Sequence, residues 1–189
     1  LAADVGQGNA VIVRTARHTL VYDAGPRYSL ESDAGHRVLV PLLRALGERV
    51  DMLVLSHRDS DHSGGARAVL AMHRGATLLS SIEEGHELQG ARTAMRCQAG
   101  QRWTWDGVDF SVLHPLPADY AAPAKPNALS CVLRVQAGDA SSLLAGDIEA
   151  PQEQVLLARG PDVGADVLLV PHHGSRTSAS PAFVQAVRP

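Results

Sequence analysis

Residues 56–65, SHRDSDHSGG, place His57, Asp59, Asp61 and His62 within six positions, just after the apolar run VDMLVL at 50–55. Imidazole nitrogens and carboxylate oxygens at this density suit a divalent cation that accepts both borderline and hard donors. Alternate residues 57, 59 and 61 of an extended turn point to one side, and His62 swings round from the next position. The same residues would also serve a solvated loop capping a helix, so a metal site needs further ligands from elsewhere. Two other strand ends supply them. LLAGD closes at Asp147, and LLVPHHGS runs into His172 and His173. Open sheets build sites at the carboxyl ends of strands, and three ligand-bearing strand ends together favour a site over capping. Gly64 and Gly65, opening the next helix, are expected to leave N–H groups facing an anion.

The elements that must position these groups alternate strand and helix. AVIVRT (10–15) and TLVYDAG (19–25) read as paired strands after the glycine-punctuated turn DVGQGNA (4–10). RVLVPLLRALG (37–47) has helical spacing and a glycine stop, and VDMLVL is short and continuously apolar, as a strand buried on both faces is. A helix follows at 65–75. Strands are expected at 76–81, 109–114, 130–136 and 141–147, a helix at 151–160, a strand at 166–171 and a last helix from Ser180, with Pro181 at its first position. Sheets covered by helices in an α/β layered domain result. With 189 residues, 45% of them hydrophobic, the chain is read as one domain, 1–189, with a sizeable core.

Composition excludes some functions. A formal charge of −3, from 17 Lys+Arg and 20 Asp+Glu, provides no basic footprint for duplex DNA. No apolar run reaches the ~20 residues of a membrane span, and no signal peptide is visible. The chain opens on Leu1 and reads as a piece of something longer. Cys97 and Cys131 allow at most one disulfide and decide nothing about compartment. Other residues are read as structural: His73 and His86 as surface groups, His114 as a strand-end support, Trp103 and Trp105 as packing on one sheet face, Lys125 and Arg176 as solvated.

The ligand turn resembles the first motif of the metallo-β-lactamase superfamily. The closer likeness is to the C-terminal hydrolase-like domain of ComEC-type DNA-internalisation competence proteins. DVGQGNA (4–10), DAGP (23–26), SHRDSDHSGG (56–65), NALSCVL (127–133), LLAGD (143–147) and VPHHGS (170–175) stand in that family's order. The resemblance implies a four-layer αββα sandwich, here expected to lack its last strand, with a dinuclear metal site. His57 and Asp59 would hold the first ion, Asp61 and His62 the second, with Asp147 bridging and His172 or its neighbour His173 completing the second. Asp4, Asp23 and Ser175 would organise these ligands, and Asn127 and Ser130 stand near the family's third histidine as candidates for a ligand or a phosphate contact. Asn9 replaces the family's usual aspartate. Asp59 replaces a histidine, which favours Mn2+ while leaving Zn2+ open.

Three carboxylates under two divalent ions leave a positive core that attracts a phosphodiester. The resemblance therefore implies a metal-dependent nuclease cutting single-stranded DNA during natural competence, with Asp61, Asp147 and His173 in the chemistry and no soluble organic cofactor. It further implies a transmembrane channel in the same polypeptide and a position on the outer side of the cytoplasmic membrane. Phosphocholine-esterase-like hydrolysis and a non-catalytic DNA-guiding role would use the same residues.

Overall fold

The computed structural model describes residues 1–160 and 162–189. They form two compact units, Leu1–Arg96 and Cys97–Pro189. Among the described residues each unit holds one five-stranded sheet.

In the first unit β1 (Val11–Arg14) and β2 (Thr19–Tyr22) make an antiparallel hairpin. A small hairpin, β3 (Arg27–Ser29) with β4 (Ser32–Asp33), follows. A π-turn at Gly35–Leu39 leads into α1 (Val40–Leu46), which stops where Gly47 turns left-handed at φ 69°. β5 (Met52–Leu55) is buried at every position and runs parallel to β2 and to β6 (Thr77–Ser80). Between them lie α2 (Ser60–Ser63) and α3 (Ala66–Met72), and β7 (Ala94–Arg96) extends the sheet to the order β1-β2-β5-β6-β7. An interior parallel strand has both faces covered, which is why β5 reads as an unbroken apolar run. Ile12, Val21, Leu53, Leu55, Leu39, Leu43 and Val69 form the core beneath the ligand turn.

In the second unit β8 (Arg102–Trp105), β9 (Val108–His114), β10 (Val132–Ala137) and β11 (Ala140–Leu144) form an antiparallel meander. α4 (Ala150–Arg159) returns the chain to β12 (Val167–Leu169), parallel to β11, and α5 (Pro181–Val187) follows. Leu143, Leu156, Phe183 and Val187 centre its core. Ser180 Oγ caps α5 by accepting from Phe183 N at 3.3 Å, and Pro181 takes the first helical position as expected. Trp103 stacks on Phe110 with centroids 5.1 Å apart, the sheet-face packing its alternation with Trp105 suggested. Cys97 and Cys131 are buried and joined as a disulfide.

Three local expectations change. The β3–β4 hairpin and β7 are too short and polar to show an apolar period. The helix expected over 65–75 ends at Met72. His73 then takes the cap and is buried rather than exposed, because its Nδ1 accepts from Val50 N at 3.2 Å where β5 begins.

Candidate metal centre

The ligand turn of the first unit is extended only as far as Asp59 and winds into a short helix, Ser60–Ser63, rather than keeping the zigzag that alternate spacing suggested. Asp59 sits at the N-cap of α2, and its carbonyl accepts from His62 N at 3.0 Å and Ser63 N at 2.9 Å. Ser63 Oγ donates back to the Arg58 carbonyl at 2.8 Å, closing the turn. The His57 and His62 rings pack with centroids 4.2 Å apart, and the two residues are 1% and 0% exposed. Each Nε2 has a carboxylate beside it: Asp59 Oδ2 is 3.6 Å from that of His57, and Asp61 Oδ2 3.8 Å from that of His62.

Asp23 sets where the imidazole protons go. It is fully buried and left-handed (φ 57°), a strained position for a non-glycine residue. Its Oδ1 accepts from Ser56 N at 2.7 Å, and its Oδ2 meets Ser56 Oγ at 2.9 Å and His62 Nδ1 at 2.7 Å. A carboxylate only accepts, so the Ser56 hydroxyl and the His62 Nδ1–H both donate to it. With its own proton committed, Ser56 Oγ accepts from His57 Nδ1–H at 3.0 Å. Both histidines thereby carry their lone pair on Nε2, beside a carboxylate. This is the donor set a divalent ion needs. Sequence reading named Asp23 but missed Ser56, whose signal was a polar residue ending an otherwise apolar strand. The DVGQGN loop braces the turn from below: Asn9 N donates to the Asp61 carbonyl at 3.2 Å, and a Cβ on Gly8 would lie 2.4 Å from that oxygen.

The second unit builds its candidate ligands differently. Asp147, 3% exposed, follows β11, and its N–H donates to the buried Ser130 hydroxyl at 3.1 Å. His172 N donates to the Gly146 carbonyl at 3.1 Å, drawing the HHGS segment to the same turn. Both histidines are left-handed, at φ 50° and 51°, and both reach Asp147 Oδ2, His173 Nε2 at 3.6 Å and His172 Nε2 at 4.0 Å. Thr177 Oγ1 donates to Glu149 Oε1 at 2.8 Å, so the His172 Nδ1–H donates to Thr177 Oγ1 at 3.2 Å with Glu149 Oε1 at 3.4 Å. Asn127 Nδ2 lies 3.4 Å from His172 Nε2. Thr177 and Glu149 carried no sequence signal; only the folded chain brings them to His172. His114 supports this unit as expected: its Nε2–H donates to the Ala128 carbonyl at 2.8 Å, next to Asn127, and burial pushes its pKa down.

The profile of the metallo-β-lactamase superfamily matches residues 3–189. The chain belongs to the metallo-β-lactamase superfamily. It is 42% identical over 188 residues to competence protein ComA of Neisseria gonorrhoeae, covering 98% of this chain and 25% of that protein. It is 36% identical to recombination protein 2 of Haemophilus influenzae (98% and 22%) and 32% identical to ComE operon protein 3 of Bacillus subtilis (98% and 26%). The chain thus spans about a quarter of the length of these relatives. Solved structures show the same fold. A Cronobacter sakazakii metallo-β-lactamase with a HARLDQ motif aligns at TM-score 0.55 and 21% identity over 76% of this chain and 54% of its own. The subclass B3 metallo-β-lactamase MEM-A1, from a soil metagenome library, aligns at 0.57 and 16% identity over 78% and 60%. The metallo-β-lactamase fold expected from the motifs is the fold of this chain.

One expected feature of this metallo-β-lactamase chain is corrected. Gly64 and Gly65 form no anion cradle: Gly64 N donates to the Ser60 carbonyl at 2.9 Å and Gly65 N to the Gly25 carbonyl at 3.3 Å. The glycines are there for close packing, since a Cβ on Gly64 would lie 2.2 Å from Arg27 N and one on Gly65 2.3 Å from the Ala24 carbonyl oxygen. Asp4 is exposed and closes its own loop by accepting from Gly6 N at 3.2 Å. Ser175 Oγ meets Thr177 Oγ1 at 3.1 Å and so joins the His172 network. Among the described residues, no helix is long and apolar enough to cross a membrane.

Proposed function

We propose that this chain is the metal-dependent phosphodiesterase domain of a DNA-uptake protein and that its substrate is single-stranded DNA. The observation that carries the reading is the Asp23–Ser56 network, which holds the His57 and His62 protons on Nδ1 and their lone pairs on Nε2. His57 and Asp59 would hold one divalent ion and Asp61 and His62 a second, with Asp147 shared and His172 completing the second. Assigning His172 rather than His173 is supported by its Nδ1 contacts with Thr177 and Glu149, the outer support that ligating histidines usually have. Three imidazoles beside three carboxylates accommodate Zn2+, and the oxygen donors favour Mn2+.

When bound, two such ions supply Lewis-acid charge that brings the pKa of water to near 7 and offsets charge on phosphoryl oxygens. The chain itself positions the reaction. Asp61 and Asp147 would orient the attacking water and take up its proton, and His173, its Nε2 3.6 Å from Asp147, would hand that proton on to the leaving oxygen. Hydrolysis of this kind needs no soluble organic cofactor. The DNA-uptake role is supported by the competence relatives. We further infer that the chain is one domain of a longer polypeptide that carries a transmembrane channel, and that it lies outside the cytoplasmic membrane.

The test is metal content by elemental analysis, followed by hydrolysis of bis(p-nitrophenyl) phosphate and a labelled single strand across Mn2+, Mg2+ and Zn2+. Turnover is expected to be highest with Mn2+ and to fall to background in Asp147→Asn. Fewer than about one ion per chain after reconstitution, with no turnover in any metal, would overturn the proposal.

A further inference from the structure

We propose that a groove of about 570 Å3 on the first unit, lined by Arg27, Arg58 and Arg67, is the track on which a DNA backbone lies as it enters the ligand turn. The inference rests on the nuclease reading for its choice of DNA and adds the surface that binds it. The three guanidinium groups come from β3, from the ligand turn between His57 and Asp59, and from α3, and all three residues are exposed. Ser60, between the ligands Asp59 and Asp61, lines the same groove. A phosphate held by Arg58 is therefore one residue away from two metal ligands.

Each arginine is oriented but not used up. Arg27 donates through Nε to the Ser29 carbonyl at 3.1 Å and through Nη2 to the Leu30 carbonyl at 3.0 Å. Arg58 Nη1 pairs with Glu83 Oε1 at 2.5 Å, and Arg67 Nη2 meets the Glu87 carbonyl at 3.0 Å and its Oε2 at 3.3 Å. A guanidinium has five N–H donors in a fixed fork, so each keeps donors for phosphate oxygens. His86 Nδ1 accepts from Leu88 N at 3.3 Å, which places its proton on Nε2 as a further donor in the lining.

Carboxylates also face the groove. Asp33 is engaged by His36, accepting from its N and facing its Nδ1 at 2.8 Å each, and Glu87 and Glu83 hold two of the arginines. The balance gives modest, salt-sensitive binding rather than a polyanion sink. The lining holds no Phe, Tyr or Trp side chain among the described residues, so the groove reads backbone rather than offering a stacking platform. The close packing of β3 on Gly64 joins the groove wall to the ligand turn.

The probe is a fluorescein-labelled oligothymidylate of about 20 nucleotides, followed by anisotropy against the whole chain in EDTA, so that metal makes no contribution. Each lost phosphate contact on a single strand lowers the log–log salt slope by roughly 0.7. Arg27→Ala/Arg58→Ala/Arg67→Ala should therefore lower it by about 2, with affinity falling in step. The triple lysine variant, which keeps the charge, should retain the slope. If the alanine triple melts early, the Arg27→Ala and Arg67→Ala single variants decide, each expected to lose about 0.7. Wild-type chain that fails to bind the strand, or an alanine triple with an unchanged slope, overturns the groove. Hydrolysis of bis(p-nitrophenyl) phosphate is scored separately. Turnover without arginine-dependent binding would leave the nuclease standing and remove the groove, and binding without turnover would do the reverse.

Discussion

The first unit gathers four candidate ligands into residues 57–62 and seals both imidazoles from solvent, whereas the second draws Asp147 and two histidines from separate strand ends. There the histidine side chains stay about a quarter exposed, at 27% each, on left-handed backbone. The supports differ in the same way. Asp23 is fully buried and committed to Ser56 and His62, while Glu149 reaches His172 from a partly open surface beside Thr177. A hydrogen bond in a low-dielectric interior is stronger, and its loss leaves a buried group unsatisfied; an exposed one is replaced by water. The contrast separates two sealed imidazoles with a buried carboxylate support from two half-open ones whose support faces solvent.

Asp23→Asn is the sharpest way to break that contrast. The amide is isosteric, yet it brings two donors to a place where Ser56 and His62 already donate. Metal affinity, read by competition with a chromophoric chelator, should fall about 10–100-fold, the range for lost outer-shell carboxylates. A loss under about 3-fold would mean that burial of the support does not matter. Glu149→Gln should cost less, below about 10-fold at the low end of that range, because Thr177 and water still serve His172. If the two variants cost the same, exposure is not what distinguishes the units.

The smallest expected effect concerns stability and pH. Burial of His73, aided by the nearby charges of Arg44 and Arg49, holds its pKa below the ordinary value. In the unfolded chain it titrates near 6.5. The native state therefore binds fewer protons in the window below that value, so the stabilisation is complete above about pH 6.5 and is lost as the pH falls. His114 in the second unit acts in the same direction. Urea midpoints of the metal-free chain should drop between pH 7.5 and 5.5, and His73→Gln should flatten the drop. An unchanged pH dependence in that variant would place the acid sensitivity elsewhere.

Legibility followed locality. β5 announced itself because an interior parallel strand must be apolar on both faces, and α1 because Gly47 ends it in the left-handed region. The ligand types at 57, 59, 61 and 62 were readable because one turn holds them all. Their conformation was not: the Asp59 carbonyl accepts two amides and winds the segment into helix, an outcome spacing does not encode. Gly64 and Gly65 misled for a related reason. A glycine pair looks the same whether its N–H groups face an anion or its missing side chains admit another segment.

By itself, then, the order of residues determined an α/β layered domain, the strand ends that bear candidate ligands and the donor chemistry they offer, because these depend on residue type and short-range pattern; the metallo-β-lactamase fold came from the resemblance of its motifs. Only the tertiary structure decided which nitrogen of His57, His62 and His172 carries the proton, that Ser56, Thr177 and Glu149 support these candidate ligands, and that three arginines line one groove. Each of these depends on a partner distant in sequence, Asp23 with Ser56 or Arg27 with Arg67, brought near by the pairing of strands and the packing of helices upon them.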